Sequence, residues 1–216
     1  MIKTTHNLII IDRSGSMSTI REQTISGINS TLRSIRQVAL ETGIRQQVSI
    51  CSFCSCNLKV IYQNTPIEKV QNITAADYQP CCMTPLYDAI GICCTRLEEM
   101  LNIVSDISEH AVSVTIITDG EENASTRFSL HSVSELIKRL KAKGWLFAFI
   151  GANIDVKRVS VNLNIDNSMS FNPTPEGTRI MFDKECSARV KWSKRCCSEI
   201  PFESDDMNLN YFESED

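Results

Sequence analysis

The chain has 216 residues, 42% of them apolar, with eight Gly, six Pro and a formal net charge of −4. That composition excludes a disordered polymer and fits one domain able to bury a sizeable core. No apolar run approaches the ~18 residues a membrane span needs, and Met1 leads through Lys3 into Thr4-Thr5-His6-Asn7 without a signal-peptide block, so a cytoplasmic setting is expected. The ten cysteines, irregularly placed and often adjacent, are expected as reduced thiols in that setting. Sequons beginning at Asn29, Asn72 and Asn123 then read as chance matches.

In chain order, Leu8-Ile9-Ile10-Ile11 suits a strand covered on both faces, as in the middle of a parallel sheet, and it runs into Asp12. Such sheets bind ligands beyond the carboxyl ends of their strands. Gly15 lets the backbone turn so that Asp12, Ser14 and Ser16 converge as oxygen ligands of the kind a hard cation takes. Ile20, Ile25, Ile28, Leu32, Ile35 and Ala39 recur at helical spacing, and Gly43 supplies a left-handed stop. Residues 47–53 read as a second strand. Residues 58–62 follow so closely that only a hairpin joins the two, which makes one edge strand antiparallel. The stretch 64–79 carries no period. Pro85 then sits in the first turn of a helix through Leu86, Ile90, Leu97 and Leu101, with Thr84 expected at its N-cap.

Residues 112–118 form the next buried strand, ending at Asp119-Gly120 much as the first ends at Asp12. Val133, Leu136, Ile137 and Leu140 mark a helix closed by Lys141, Lys143 and Gly144, and 145–151 is another buried strand. Residues 153–165 suggest a short helix, 168–171 a weak last strand, and Thr174-Pro175-Glu176 opens a helix reaching about Trp192. The alternation predicts an α/β fold: a three-layer, doubly wound, Rossmann-like sheet, mostly parallel, with one antiparallel edge strand.

Three separated motifs, Asp12-x-Ser14-x-Ser16, Thr84 in Met83-Thr84-Pro85-Leu86-Tyr87-Asp88-Ala89-Ile90, and Asp119 in Ile116-Ile117-Thr118-Asp119-Gly120, resemble the metal-ion-dependent adhesion site of a von Willebrand factor A (vWA) domain. They stand in the family's order, each after the expected element, and the resemblance covers about residues 5–165. It implies that Ser14, Ser16 and Thr84 coordinate Mg²⁺ (or Mn²⁺ or Ca²⁺), and that Asp12 and Asp119 hold it directly or through water. A partner's Asp or Glu would complete the shell. Asp88 and Asp155 also match the family and read as hydrogen-bonding supports. Relatives commonly carry Gly before the Thr, whereas Cys81-Cys82-Met83 here implies a stiffer loop.

The resemblance predicts one vWA-like domain over residues 1–197 that serves as a metal-dependent protein-binding module, not an enzyme, with neither nucleic acid nor membrane as partner. A metal-dependent phosphoesterase or phosphotransferase is the competing reading, because a hydrophobic strand followed by Asp also opens phosphotransferases of the haloacid dehalogenase type. Their acid/base carboxylate stands two residues on, where this chain has Ser14. His6, His110 and His131 are scattered and are expected in surface or capping roles. Cys51, Cys93 and Cys94 read as small buried hydrophobes. Cys54, Cys56, Cys81 and Cys82 fall at one sheet edge. A zinc or redox site is one reading of them, but Cys-x-Cys and Cys-Cys spacings favour inert thiols. Residues 198–216 hold seven acids and no base, expected as a solvated tail. The alternative is docking through Ile200, Phe202, Leu209, Tyr211 and Phe212, against the basic Arg189, Lys191, Lys194 and Arg195.

Overall fold

The computed structural model describes residues 2–103, 109–196 and the pair Tyr211 and Phe212. Its six strands are β1 (Thr4–Asp12), β2 (Arg45–Cys54), β3 (Asn57–Pro66), β4 (His110–Thr118), β5 (Leu146–Gly151) and β6 (Asn167–Ser170). They form one sheet in the order β3-β2-β1-β4-β5-β6. All neighbours are parallel except β2 and β3, which the turn at Ser55-Cys56 joins as an antiparallel hairpin. Among the described residues five helices cover the sheet: α1 (Arg21–Thr42), α2 (Leu86–Leu101), α3 (Leu130–Lys141), α4 (Val156–Asn162) and α5 (Pro175–Cys196). The doubly wound expectation holds, with a 3₁₀ turn (Gly15–Ile20) between β1 and α1. Among the described residues no helix is long and apolar enough to cross a membrane.

The two faces of β1 feed two cores, because side chains alternate along a strand. Leu8 and Ile10 pack with Ile90, Leu97, Val133 and Ile137 of α2 and α3. Ile9 and Ile11 pack with Ile28, Leu32 and Ile35 of α1 and with Met181 and Phe182 of α5. Gly43 closes α1 in the left-handed region (φ 70°), its N–H donating to the Ala39 carbonyl. α1 and α5 touch where Gly27 faces Phe182, and a Cβ on Gly27 would stand 2.0 Å from the ring. Ala is the better helix former by about 1 kcal/mol, yet Gly27→Ala is expected to lower stability by about 1–3 kcal/mol through overpacking. A urea midpoint equal to or above wild type would contradict this contact.

Three sequence expectations change in the assembled fold. Thr4-Thr5-His6-Asn7, read as a polar lead-in, is the first half of β1 and wholly buried. His6 is therefore no surface residue: its Nδ1 lies 2.9 Å from Asn64 Oδ1 and its Nε2 2.8 Å from His110 Nδ1. An amide oxygen only accepts, so His6 carries its proton on Nδ1 and accepts from His110. Third, the acidic tail is not solvated throughout. Tyr211 is buried beside Trp192, Ala188 and Cys196, and its N–H donates to Asn167 Oδ1 at 3.1 Å. Ile200, Phe202 and Leu209 lie outside the described residues.

Burial pushes the His6 imidazolium down to about 4 from 6.5, with His110 adding to the effect and the Asn64 hydrogen bond opposing it. Between those values the unfolded chain binds the proton and the folded chain does not, so stability is complete above the unfolded value and is lost as pH falls through the window. The expected loss is on the order of 3 kcal/mol. His6→Gln should flatten the dependence; equal slopes in wild type and variant, measured by urea denaturation from pH 7 to 4, would place the titration elsewhere.

Candidate metal centre at the carboxyl edge of the sheet

β1 and β4 are parallel neighbours with Ile11 opposite Ile117, so Asp12 and the pair Thr118-Asp119 leave the sheet side by side. Thr118 Oγ1 donates to Asp12 Oδ2 at 2.6 Å, and the Ser14 N–H donates to Asp12 Oδ1 at 2.7 Å. Tyr78 OH donates to the Asp12 carbonyl at 2.6 Å. Both carboxylate oxygens and the backbone of Asp12 are thus held before any ion is considered. Ser16 Oγ donates to Asp119 Oδ1 at 2.6 Å and lies 3.1 Å from Ser14 Oγ. Asp12, Ser14, Thr84 and Asp119 are buried, while Gly15 and Ser16 are exposed. The site therefore opens on the Ser16 side.

Thr84 reaches the same point from a separate loop. Its N–H donates to Asn123 Oδ1 at 2.9 Å, and the Asn123 N–H donates back to the Thr84 carbonyl at 3.1 Å. A Cβ placed on Gly120 would stand 3.5 Å from Thr84 Oγ1 and 3.9 Å from Ser16 Oγ. Those two hydroxyls thus flank Gly120, and a Cβ there would make van der Waals contact with both. The N-cap of α2 is Pro85, without a side-chain cap, which corrects the capping expectation for Thr84. Its hydroxyl is thereby free of a capping duty.

Asp88 and Asp155 both accept backbone hydrogen bonds, Asp88 from the loop after β4 and Asp155 within its own helix cap. Asp88 accepts from the backbone N–H groups of Thr126, Arg127 and Phe128 at 2.7–2.9 Å. Burial disfavours its charge, but these amides outweigh it and hold the carboxyl below its usual range. Asp155 accepts from the Arg158 N–H as the cap of α4. Thr118, Tyr78, Asn123 and Glu122 were given no role at the site from the sequence. Glu122 accepts from the Tyr87, Ala124 and Ser125 N–H groups, tying the loop after β4 to the start of α2. Thr118 alone had a legible signal, its place just before Asp119 on a strand that must lie beside the first.

The donor set fits a hard divalent ion. Burial pushes the Asp12 carboxyl up to about 6; the Thr118 and Ser14 hydrogen bonds oppose this and the nearby Asp119 charge adds to it. Asp119 is also raised, by burial first, against its hydrogen bond from Ser16. Two carboxylates taken out of water close together are destabilised as anions, and a cation relieves both. An octahedral Mg²⁺ with bonds of about 2.0–2.1 Å sets neighbouring oxygens about 2.9 Å apart, and the Ser16–Asp119 and Ser14–Ser16 contacts of 2.6 and 3.1 Å bracket that spacing.

The sequence matches no family model and no curated protein. Among solved structures, the pilus adhesin SpaC from Lactobacillus rhamnosus GG in its open conformation is 14% identical with a TM-score of 0.63, over 88% of this chain and 30% of the adhesin. Proximal thread matrix protein 1 from the mussel byssus is 14% identical with a TM-score of 0.53, over 91% of this chain and 47% of that one. The chain thus spans a third to a half of those relatives. The SpRpn10 VWA domain is 11% identical with a TM-score of 0.56, and here the match takes in 86% of this chain and 95% of the domain. At such identities the likeness concerns the fold, and the fold is that of a von Willebrand factor A-like domain.

Proposed function

We propose that the protein is a metal-dependent protein-binding module, in which Mg²⁺ (or Mn²⁺ or Ca²⁺) held by Asp12, Ser14, Ser16, Thr84 and Asp119 captures an Asp or Glu of a partner protein. The observation that carries the reading is the convergence of two buried carboxylates and three hydroxyls from three loops at one edge of the sheet. Two carboxylates balance the ion's charge while the hydroxyls add none, so the ion stays electrophilic and takes one further anionic oxygen. The exposed Ser16 side is where that oxygen enters. The likeness in fold to an adhesin and to a VWA domain accords with a binding role. The reading includes a cytoplasmic setting, in which the cysteines stay reduced.

Hydrolytic or transfer chemistry has less support. A phosphoryl-transfer site needs a proton carrier within hydrogen-bond reach of the reacting atoms. His6 and His110 sit at the amino ends of β1 and β4, the opposite edge from Asp12 and Asp119. Ser14 occupies the place of the second carboxylate.

Calorimetric titration with Mg²⁺ and Mn²⁺, paired with capture of Glu- and Asp-containing peptides with and without chelator, tests the reading. Thr84→Ala is expected to weaken peptide capture more than ion affinity, because Ser14, Ser16 and the carboxylates remain. Losses of equal size in both would contradict that division of roles, and peptide capture indifferent to chelator would remove the ion from the function.

A further inference from the structure

The turn between β2 and β3 and the loop before Thr84 bring four cysteines to one place. Cys54 Sγ lies 3.2 Å from Cys81 Sγ, and Cys56 Sγ 2.8 Å from Cys82 Sγ. These are not two isolated pairs, since the sulfurs of Cys54, Cys56 and Cys81 all lie within 4.8 Å of one another. Cys54 is buried, Cys81 half-buried, and Cys56 and Cys82 exposed, so the cluster has a closed floor and an open mouth.

Backbone contacts set this arrangement. The Cys81 N–H donates to the Arg13 carbonyl at 2.9 Å, the Gly15 N–H to the Cys82 carbonyl at 3.0 Å, and the Ser55 N–H to the Met83 carbonyl at 2.9 Å. Cys82 adopts a left-handed backbone (φ 63°); the other non-glycine residues with positive φ among those described are Asn64, Asn153 and Asn164. Asn tolerates that region, whereas most other side chains persist there only when the surroundings offset about 1–3 kcal/mol. The geometry also explains how adjacent cysteines serve one site. In extended chain neighbouring side chains point to opposite sides, but the left-handed residue breaks the alternation and lets Cys81 meet Cys54 while Cys82 meets Cys56.

We propose that Cys54, Cys56, Cys81 and Cys82 form a tetrathiolate site for a thiophilic divalent ion of the zinc class, which staples the β2–β3 turn to the loop that carries Thr84. A tetrahedral ion with bonds of about 2.3 Å sets its sulfurs about 3.8 Å apart; Cys54, Cys56 and Cys81 already lie within 4.8 Å of one another, and Cys82, outside that group of three, joins it through its 2.8 Å contact with Cys56. Hydrogen bonding to Cys82, with lesser contributions from burial and from Cys81, pushes the Cys56 thiol up to about 12. Crowded thiolates therefore exclude one another without a cation. On binding, each thiol that ligates gives its proton to solvent and donates a lone pair to the ion, so affinity rises with pH. Four thiolates around a divalent ion leave two negative charges in excess. Arg13 is buried with its Nη1 3.4 Å from Cys81 Sγ and offsets one of them. Cys-x-Cys and Cys-Cys are poor ligand spacings within a single segment; here each segment supplies half of a four-sulfur set. The site stands on these sulfurs alone and does not depend on an ion at Asp12.

Reduced, metal-free full-length protein titrated with Co²⁺ decides the matter, because only sulfur ligation produces thiolate-to-cobalt charge-transfer absorption; carboxylates and hydroxyls at Asp12 do not. The expected result is a charge-transfer band saturating at one equivalent and displaced by Zn²⁺. Cys56→Ser and Cys81→Ser should lower the affinity by about 100-fold or more, while Cys186→Ser, on α5, leaves it unchanged. No sulfur band in the reduced wild type, or a band that survives both substitutions, overturns the proposal. Thiol counting that finds these four residues paired as disulfides in protein purified from a reducing cytoplasm overturns it as well. Mg²⁺ calorimetry on the same samples reports separately on the Asp12 site.

Discussion

Arg189→Ala is expected to lower the unfolding free energy by about 3–5 kcal/mol, because it strands a buried carboxylate. Arg189 and Glu185 lie one turn apart on α5, each about 1% exposed, where the helix face meets β1 and β4. Arg189 donates from Nε and Nη2 to Glu185 Oε1 at 2.8 and 2.6 Å, from Nη1 to Asn7 Oδ1 and Ser113 Oγ, and from Nη2 to Thr115 Oγ1. Thr31 of α1 donates to the other carboxylate oxygen at 3.1 Å. Every charge in this network is answered, so removing one partner exposes the whole desolvation penalty of the other. Glu185→Ala should cost about as much. The double change Glu185→Leu with Arg189→Met should cost much less than the sum, since apolar groups of similar volume leave no charge behind. Urea denaturation of the three variants makes the comparison. A loss below about 1 kcal/mol in Arg189→Ala would mean the guanidinium is not held as described.

Asp12→Asn should abolish divalent-ion binding while leaving the metal-free fold as stable as wild type or more so near neutral pH. The native carboxylate is raised to about 6 by burial, so at pH 7 the folded protein carries a charge it disfavours. The amide removes that charge and keeps an oxygen for the Ser14 N–H or the Thr118 hydroxyl. Losing an outer-shell partner such as Thr118 typically weakens metal affinity by about 10–100-fold, and losing the carboxylate it orients should exceed that. Gain or retention of stability with loss of ion binding is a signature no general unfolding reproduces. Asp119→Asn should behave alike with a smaller stability change, because Asp119 lies at the more open side beside Ser16. Mg²⁺ affinity in Asp12→Asn equal to wild type would remove the proposed centre.

The residues that gather at the candidate site were legible before the fold because strand ends and loop spacings are local. Asp12, Ser14 and Ser16 share five residues of chain, and Asp119 follows a strand whose aliphatic run matches that of β1. Thr84 was legible only through the resemblance, since nothing within its own segment says which strand edge it faces. The hairpin at Ser55-Cys56 was readable from a gap too short for a crossover, and Gly43 from its position after the last helical repeat.

What the sequence by itself determined is therefore the order and type of the elements, the open edge where two Asp-ended strands finish, and the oxygen donors placed there. Periodicity of 2 or 3.6 residues is a property of neighbouring positions and survives without knowledge of the fold. Only the tertiary structure decided which polar residues go inside. His6 pairs with His110 at 104 residues' separation and Arg189 with Asn7 at 182, and the sulfurs of Cys54 and Cys81 meet across 27. A polar side chain on a strand or helix reads as solvated until its partner is found, because burying it is unfavourable alone and tolerable only when a distant donor or acceptor arrives with it. Thr4-Thr5-His6-Asn7 misreads as a polar lead-in for that one reason, and Arg189, read only as part of a basic stretch beside the acidic tail, is buried through the same kind of distant pairing.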